Sequence, residues 1–170
     1  MQLIRCTQKL LKELGVTPLA LESPRGLLGP WHANLLRVER RKCVLFTNDA
    51  TLYSLFAPGL RKPQFERLPD VFGQVLFRAL RLEDFSQQQI EAVLEEIEEL
   101  QFAKTNNRSV LGSMNDLAYQ LDWIIASLGG LSNCSVDAVH HKLNRIPMSA
   151  IKPHVYSVDA LGSRLARDAA

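Results

Sequence analysis

The sequence predicts one α+β domain, in which a small antiparallel β-meander of about four to five strands is covered by four to five helices and the C-terminal part is helical. Three observations predict this fold. Short runs rich in β-branched and aromatic residues follow one another between residues 31 and 57. Apolar residues recur at helical spacing over much of the remaining chain. A chain of 170 residues, of which 46% are hydrophobic, is long enough to bury one core.

The first thirty residues predict a strand, a helix and a loop. Residues 2–6 form a short, mainly apolar run, and Thr7 is suited to cap the helix that follows. Gly15 is suited to end that helix, because glycine adopts the left-handed conformation after a helix without strain. Residues 17–30 are rich in proline and glycine, which predicts a loop.

The meander consists of three expected strands, over 31–39, 42–48 and 51–57. Tight turns join them, and Asn48 and Asp49 favour the second turn because their side chains bond their own backbone. One face of such a sheet must be covered by other elements. We expect helices to cover one face and the polar side chains of the first strand to stay accessible on the other.

Helical spacing predicts the cover. One helix begins near Pro69, and another follows the capping box of Ser86 and Gln89. Two more helices are expected over 109–128 and 136–145, each ended by glycine or proline.

The remaining segments complete the expected domain. A strand over 101–105 precedes the long helix, whereas the segment from residue 151 is weakly patterned and its last residues are expected to be frayed. We therefore expect residues 1–170 to form one domain. Within it, residues 1–108 carry the sheet and residues 109–170 form a helical part that packs on it.

Charge is unevenly distributed, although the net charge is only +2. Residues 1–81 hold 13 Lys and Arg against 6 Asp and Glu, whereas residues 82–103 hold 7 acidic residues and no Lys or Arg. A basic half favours an anionic partner, and a solvated surface of mixed sign explains the same counts. The acidic block is most simply the solvated face of a helix.

Several sequence features predict a cytoplasmic protein without a membrane span. The apolar stretch over 117–131 is interrupted by Gln120 and Asp122, and the N-terminus lacks the features of a signal peptide. Three widely spaced cysteines form no paired motif. His140 and His141 are adjacent, so on a helix they diverge and do not share a metal ion. We expect no metal site and no cofactor.

An ordered set of motifs resembles a bacterial family of domains of unknown function. The run from Leu3 to Leu11 resembles the Arg-Cys-Thr-Lys-Lys-Leu-Leu opening of its members, with Gln8 at a position where lysine is common. The likeness extends over about residues 2–121 through Trp31-His32-Ala33-Asn34-Leu35, Arg40-Arg41-Lys42 before a strand ending at Asn48-Asp49, and Lys104-Thr105 before Arg108-Ser109. The resemblance implies an α+β domain found alone or fused ahead of domains similar to plasmid open-reading-frame products. It implies no activity, cofactor or catalytic residue.

The polar run before the long helix is the best local candidate for an anion site. A helix start leaves backbone N–H groups unpaired, and the helix dipole favours a negative charge there. Two cations in the run can add charge-assisted bonds to a phosphate or carboxylate. An ordinary N-cap at Ser109 after a solvated loop explains the same pattern. The candidate residues are Lys104, Thr105, Asn107, Arg108 and Ser109.

A basic cluster around the first hairpin is the candidate for partner binding. It consists of Arg37, Arg40, Arg41 and Lys42. Such a cluster can contact the phosphates of a nucleic acid or an acidic protein surface. Charges at a hairpin also protect the edges of a sheet, which is the structural alternative.

His32 is the candidate acid or base of this sequence. Strand alternation places it beside Asn34 on one face of the first meander strand, and a structural hydrogen-bonded pair is the alternative. No nucleophile–base pair, metal spacing or glycine-rich phosphate loop accompanies it.

The sequence therefore favours a non-enzymatic binding or regulatory module for a protein or anionic partner, nucleic acid included. The alternative is a small enzyme acting on a phosphorylated or carboxylated metabolite. In that enzyme His32 would be the acid or base and Lys104, Arg108 and Ser109 would hold the anion. The apolar stripe of the 109–128 helix also leaves a homodimer open. The sequence does not identify the substrate, partner or pathway.

Overall fold

Five strands and seven α-helices make up the part of the chain that the computed structural model describes, residues 1–20 and 26–168. In chain order they are β1 (Gln2–Cys6), α1 (Gln8–Leu14), β2 (Trp31–Val38), β3 (Arg41–Asn48), β4 (Ser54–Ala57), α2 (Lys62–Glu66), α3 (Leu68–Leu82), α4 (Gln87–Glu95), β5 (Leu100–Lys104), α5 (Arg108–Ser127), α6 (Val136–Leu143) and α7 (Ser157–Asp168). The α+β class and the helical C-terminal part are confirmed, but the described residues form seven α-helices rather than four to five, because α2 and α7 were not predicted. Part of the predicted loop, residues 21–25, and the last two residues, expected to be frayed, lie outside the described residues.

The sheet is mixed, with the strand order β4-β3-β2-β1-β5. The meander β2-β3-β4 is antiparallel as predicted, but β1 runs parallel to both β2 and β5. The prediction of a purely antiparallel sheet is therefore wrong. Parallel neighbours need a long crossover. The chain supplies one through α1 and another through the helices between β4 and β5.

Apolar clusters lie on both faces of the sheet. On one face α1, α3 and α4 pack against a cluster that includes Trp31 and Phe46. On the other face α5 and α6 pack against a cluster that includes Leu45 and Phe56. The expectation that helices cover one face is wrong, because α5 and α6 form a second layer. Consequently β2 begins between two helical layers, where the side chain of His32 is 0% exposed.

The long helix α5 belongs to the core. Its stripe of apolar residues, Val110, Met114, Leu117 and Leu121, is buried in the second cluster. The N-cap is Asn107 rather than the predicted Ser109, because the Asn107 side chain accepts hydrogen bonds from the backbone of Ser109 and Val110. None of the described helices, α5 included, is long and apolar enough to cross a membrane.

The turn between β3 and β4 is longer than predicted. Oδ1 of Asn48 accepts hydrogen bonds from the backbone N and from Oγ1 of Thr51, at 3.0 and 2.9 Å. Leu52 then adopts a left-handed backbone conformation with a φ of 57°. As a result β4 begins at Ser54 rather than at residue 51, and Ser54 faces Thr47 of β3.

Helix α7 packs against both apolar clusters, and it was not predicted from the sequence. Leu161 and Leu165 are buried in the first cluster, whereas Ala160 belongs to the second. Nε of Arg164 donates to the backbone oxygen of Leu27 at 2.7 Å. Val158, Leu161 and Leu165 recur at helical spacing, so α7 does carry an apolar stripe that the sequence prediction missed.

Candidate functional site

A row of buried polar side chains crosses the sheet on the face that α5 and α6 cover. Arg5, His32, Thr47 and Ser54 occupy neighbouring positions on β1, β2, β3 and β4. Each of these residues is at most 6% exposed, and apolar residues form the adjacent core. We call these four residues the interior polar row. Buried polar groups are normally hydrogen-bonded, so their partners distinguish a structural row from a binding site.

At the β4 end both hydroxyls of the row are paired, although Nδ1 of the adjoining His140 is buried without a partner among the described residues. Oγ1 of Thr47 and Oγ of Ser54 are 2.8 Å apart. Asn144, directly after α6, accepts from the backbone N of Ser54 at 2.7 Å and donates to its backbone O at 2.8 Å. Nε2 of His140 accepts from the backbone N of Phe56 at 2.8 Å. Because β4 is an edge strand, these side chains replace the backbone of a missing neighbour. This end of the row is structural.

At the β1 end the row is not paired. Nδ1 of His32 lies 2.6 Å from Oδ1 of Asp49. Nε2 of His32 and both Nε and Nη1 of Arg5 are buried without a hydrogen-bond partner among the described residues. Arg5 also forms no ion pair within that part of the chain. An uncompensated buried charge costs on the order of several kcal/mol. Packing alone therefore does not explain why Arg5 is here.

Burial controls the protonation of His140. The backbone N–H of Phe56 donates to Nε2, which requires a lone pair on that nitrogen. Burial lowers the pKa of His140 from 6.5 to about 4, while the negative charge of Asp137 acts in the opposite direction. His140 is therefore neutral in the folded protein near pH 7, and the neighbouring His141 is exposed.

Acidification should destabilise the protein between pH 6.5 and pH 4 through His140. Its pKa is lower in the folded state, so the unfolded state takes up the proton first as the pH falls through 6.5. The loss is complete below the folded-state pKa and amounts to about 2 kcal/mol at pH 5. Urea unfolding measured between pH 8 and pH 4 tests this expectation.

Two histidine variants isolate this contribution. His140→Gln keeps an acceptor for the Phe56 N–H but does not titrate, so it should lose this part of the pH dependence. His141→Gln changes an exposed histidine and should keep it. If His140→Gln and the wild type respond equally to pH, His140 is not the titrating group.

The hairpin between β2 and β3 places the predicted partner-binding residues at one end of the sheet. Arg37, Arg40 and Arg41 are exposed, and none forms an ion pair among the described residues. Lys42 is half-buried, and its Nζ lies 2.6 Å from Oε1 of Glu13 on α1. The hairpin therefore presents three of the four predicted cations to solvent.

The predicted anion-binding run lies at the surface, at the start of α5. Thr105 is half-buried, and the other four candidates, Lys104, Asn107, Arg108 and Ser109, are exposed. The Asn107 side chain already occupies two N–H groups of the helix start. His32 is buried between the helical layers. The structure therefore does not present His32 and this run on one common surface.

A surface cleft of about 740 Å³ beside α7 is lined by the ion pair of Glu83 and Arg145, among other residues. Glu83 accepts from Nη2 and Nη1 of Arg145 at 2.7 and 3.2 Å, and Oη of Tyr53 donates to it at 3.4 Å. The bond to Glu83 raises the pKa of Arg145. Burial, and then the charge of Glu83, raises the pKa of Tyr53. These groups satisfy one another, which indicates a structural role.

The cysteines behave as small hydrophobic residues. All three are free thiols. Burial raises the pKa of Cys6 to about 12 and also raises the pKa of Cys43. Neither thiol is therefore activated as a nucleophile, although Cys43 follows a run of basic residues.

The sequence analysis identified His32 as a candidate. It did not identify Arg5, His140 or Asn144. The available signal for Arg5 was a charged residue in an otherwise apolar strand. His140 and Asn144 are four residues apart, which places them on one face of a helix. Their target is an edge strand distant in sequence, which no local pattern reveals.

Comparisons with known proteins bear on the family of the chain. A search of the curated proteins found no match. A family model described as "Domain of unknown function (DUF6933)" matches residues 3–160, well beyond the point near residue 121 where recognisable motifs end. Because this match covers most of the chain, the protein belongs to the DUF6933 family of domains of unknown function.

Proposed function

We propose that this protein is a binding module for an acidic protein partner, which docks on the end of the sheet formed by the β2–β3 hairpin. One observation carries the proposal. Arg37, Arg40 and Arg41 are exposed on a tight hairpin and have no ion-pair partner among the described residues. We call these three residues the hairpin patch. Cations held together on a rigid element attract and orient a partner of opposite charge.

Two carboxylates lie near the patch, but neither forms an ion pair with its arginines among the described residues. Glu39, in the hairpin turn, accepts a hydrogen bond from the backbone N of Leu131 at 3.0 Å. Glu13 is bonded to Lys42 at 2.6 Å. The backbone N of Leu60 donates a hydrogen bond to the backbone O of Lys42, which places the exposed Arg61 next to the hairpin. The three arginines of the patch and Arg61 outnumber the Glu39 carboxylate, so the local charge is positive although the protein is nearly neutral.

An acidic protein fits this surface better than a nucleic acid does. Single-stranded nucleic acids are bound through exposed aromatic side chains that stack on bases. The aromatic residues of the meander, Phe46, Tyr53 and Phe56, are 0% exposed. The net charge of +2 is also small for a nucleic-acid-binding domain. The proposal keeps the expectation of a bacterial cytoplasmic protein, which three free thiols support.

A second candidate function is the small enzyme with His32 as acid or base. The 2.6 Å contact between His32 and Asp49 favours it, because a carboxylate that holds one ring nitrogen orients the other for proton transfer. The burial of His32 means that its ligand would bind in the interior rather than at Lys104, Arg108 and Ser109.

Reversing the hairpin patch should abolish binding to an acidic polypeptide. We expect wild-type protein to bind immobilised polyglutamate at about 50 mM salt and to lose this binding steeply as salt rises, because screening weakens exposed charges. The variant Arg37→Glu/Arg40→Glu/Arg41→Glu should not bind. Lys42 is left unchanged, since reversing it would place two carboxylates together at Glu13.

A matched variant separates the patch from overall charge. Lys142→Glu/Lys152→Glu/Arg167→Glu alters three exposed cations outside the hairpin and changes the net charge equally. It should bind nearly as well as the wild type. Equal loss in both variants, or unchanged binding in the hairpin variant, would refute the proposal. Stronger, patch-dependent binding of duplex DNA would assign the patch to nucleic acid instead.

A further inference from the structure

We propose that Arg5 and His32 form an interior binding site for a small oxyanion, a carboxylate or a phosphate. This site is separate from the hairpin patch and does not depend on it. The inference follows from two side chains on adjacent strands whose buried donor and acceptor atoms lack partners among the described residues. No other part of the interior polar row shows this feature.

The guanidinium of Arg5 supplies the main argument. Arg5 is 6% exposed, and its Nε and Nη1 carry three N–H groups without an acceptor in the described part of the chain. An arginine side chain is a permanent cation in proteins. Its planar fork of donors matches the oxygens of a carboxylate or phosphate. A buried group of this kind is normally paired with an anion.

His32 lies beside Arg5 and is oriented by Asp49. The Cα atoms of Arg5 and His32 are partners in the parallel β1–β2 ladder, so both side chains leave the same face of the sheet. Asp49 accepts the proton of Nδ1 at 2.6 Å, which directs Nε2 away from the carboxylate. Nε2 is buried and unpaired among the described residues. It can accept a hydrogen bond from a protonated oxyanion, or donate one when the ring is charged.

The chemistry of the site limits its ligand. Asp49 is already engaged by His32, so the available donors belong to Arg5 and His32. The two hydroxyls of the interior polar row, those of Thr47 and Ser54, are paired with each other and are therefore not free to bind the ligand. A buried site with few donors suits a ligand with one small oxyanion group rather than a polyanion.

The test is anion binding by the full chain at constant ionic strength, with acetate and inorganic phosphate as probes and chloride as the compensating salt. We expect either oxyanion to raise the melting temperature of the wild type in a saturable way, because a ligand that binds the folded state stabilises it. In Arg5→Met the affinity should fall by about tenfold or more, the value of one charge-assisted hydrogen bond. The hairpin-patch variant should keep the wild-type response.

A second measurement covers the case in which Arg5→Met does not fold. The Nε–H resonance of a buried arginine is protected from exchange, so in the wild type it should shift saturably with the same anion. The absence of any such shift, or an equal thermal response in Arg5→Met, would overturn the proposal and leave bound water as the partner of Arg5. If the anion raises the melting temperature of Arg5→Met but not that of the hairpin-patch variant, the anion binds at the hairpin patch rather than in the interior. Loss of polyglutamate binding alone does not affect this inference.

Discussion

Replacing Phe72 by alanine is expected to lower the free energy of unfolding by about 3–5 kcal/mol. Phe72 is 0% exposed in α3, and its ring centroid lies 5.3 Å from that of Trp31 and 5.0 Å from that of Phe46. It therefore joins the first helical layer to two strands of the sheet. A second helical layer supports the other face, so the sheet cannot move into the cavity, and the lost contacts are not recovered.

A second phenylalanine in the same helix provides the control. Phe77 is 41% exposed, so Phe77→Ala should cost about 1 kcal/mol or less. Urea unfolding followed by circular dichroism and by tryptophan fluorescence measures both variants. Trp31 should report the loss directly, because it is the edge-on partner of Phe72. Similar losses in the two variants would contradict the described packing of α3.

Asn144→Ala is expected to destabilise the protein by about 2–4 kcal/mol. The Asn144 side chain pairs with both backbone groups of Ser54 and also bonds Oγ of Ser157 at 3.0 Å. All three residues are buried. Alanine would leave buried backbone groups of an edge strand without partners, which costs more than the net gain from forming those bonds. Asn144→Asp should be worse, because it places a carboxylate oxygen against the carbonyl of Ser54.

Hydrogen exchange shows whether the loss arises at β4. In Asn144→Ala the backbone amides of Ser54 and Phe56 should exchange faster, whereas amides in the centre of the sheet should change only with global stability. Asn106→Ala removes an exposed asparagine whose side chain makes no hydrogen bond among the described residues, so it should alter stability by about 0.5 kcal/mol or less. Unchanged exchange at Ser54 would show that Asn144 does not replace a neighbouring strand.

Local chemistry accounts for the elements that the sequence predicted well. Gly15 ends α1 with a φ of 65°, as expected for a residue without a side chain. Ser86 and Gln89 form the predicted capping box of α4. The alternation over β2 correctly separated Trp31 from His32. These features depend on neighbours within a few residues, so a single sequence contains the information.

The candidate sites, in contrast, depend on residues that are distant in sequence. The cations of the hairpin patch were identified because they are consecutive, yet the pairing of Lys42 with Glu13 on α1 was not visible. His32 was named as a candidate, but the expected accessible face was wrong because α5 and α6 cover it. The apolar run around Arg5 is a local signal of burial, but its unpaired state and its position beside His32 depend on contacts distant in sequence.

By itself, the sequence determined the α+β class, some of the helix caps and the antiparallel meander, because turns, caps and periodicity are properties of short segments. The tertiary structure alone decided that β1 enters the sheet in parallel between β2 and β5, and that a second helical layer encloses the face that carries the row. Both outcomes depend on contacts between residues far apart in the chain. Those contacts brought Arg5 beside His32 and removed both from solvent, which no spacing within either strand encodes.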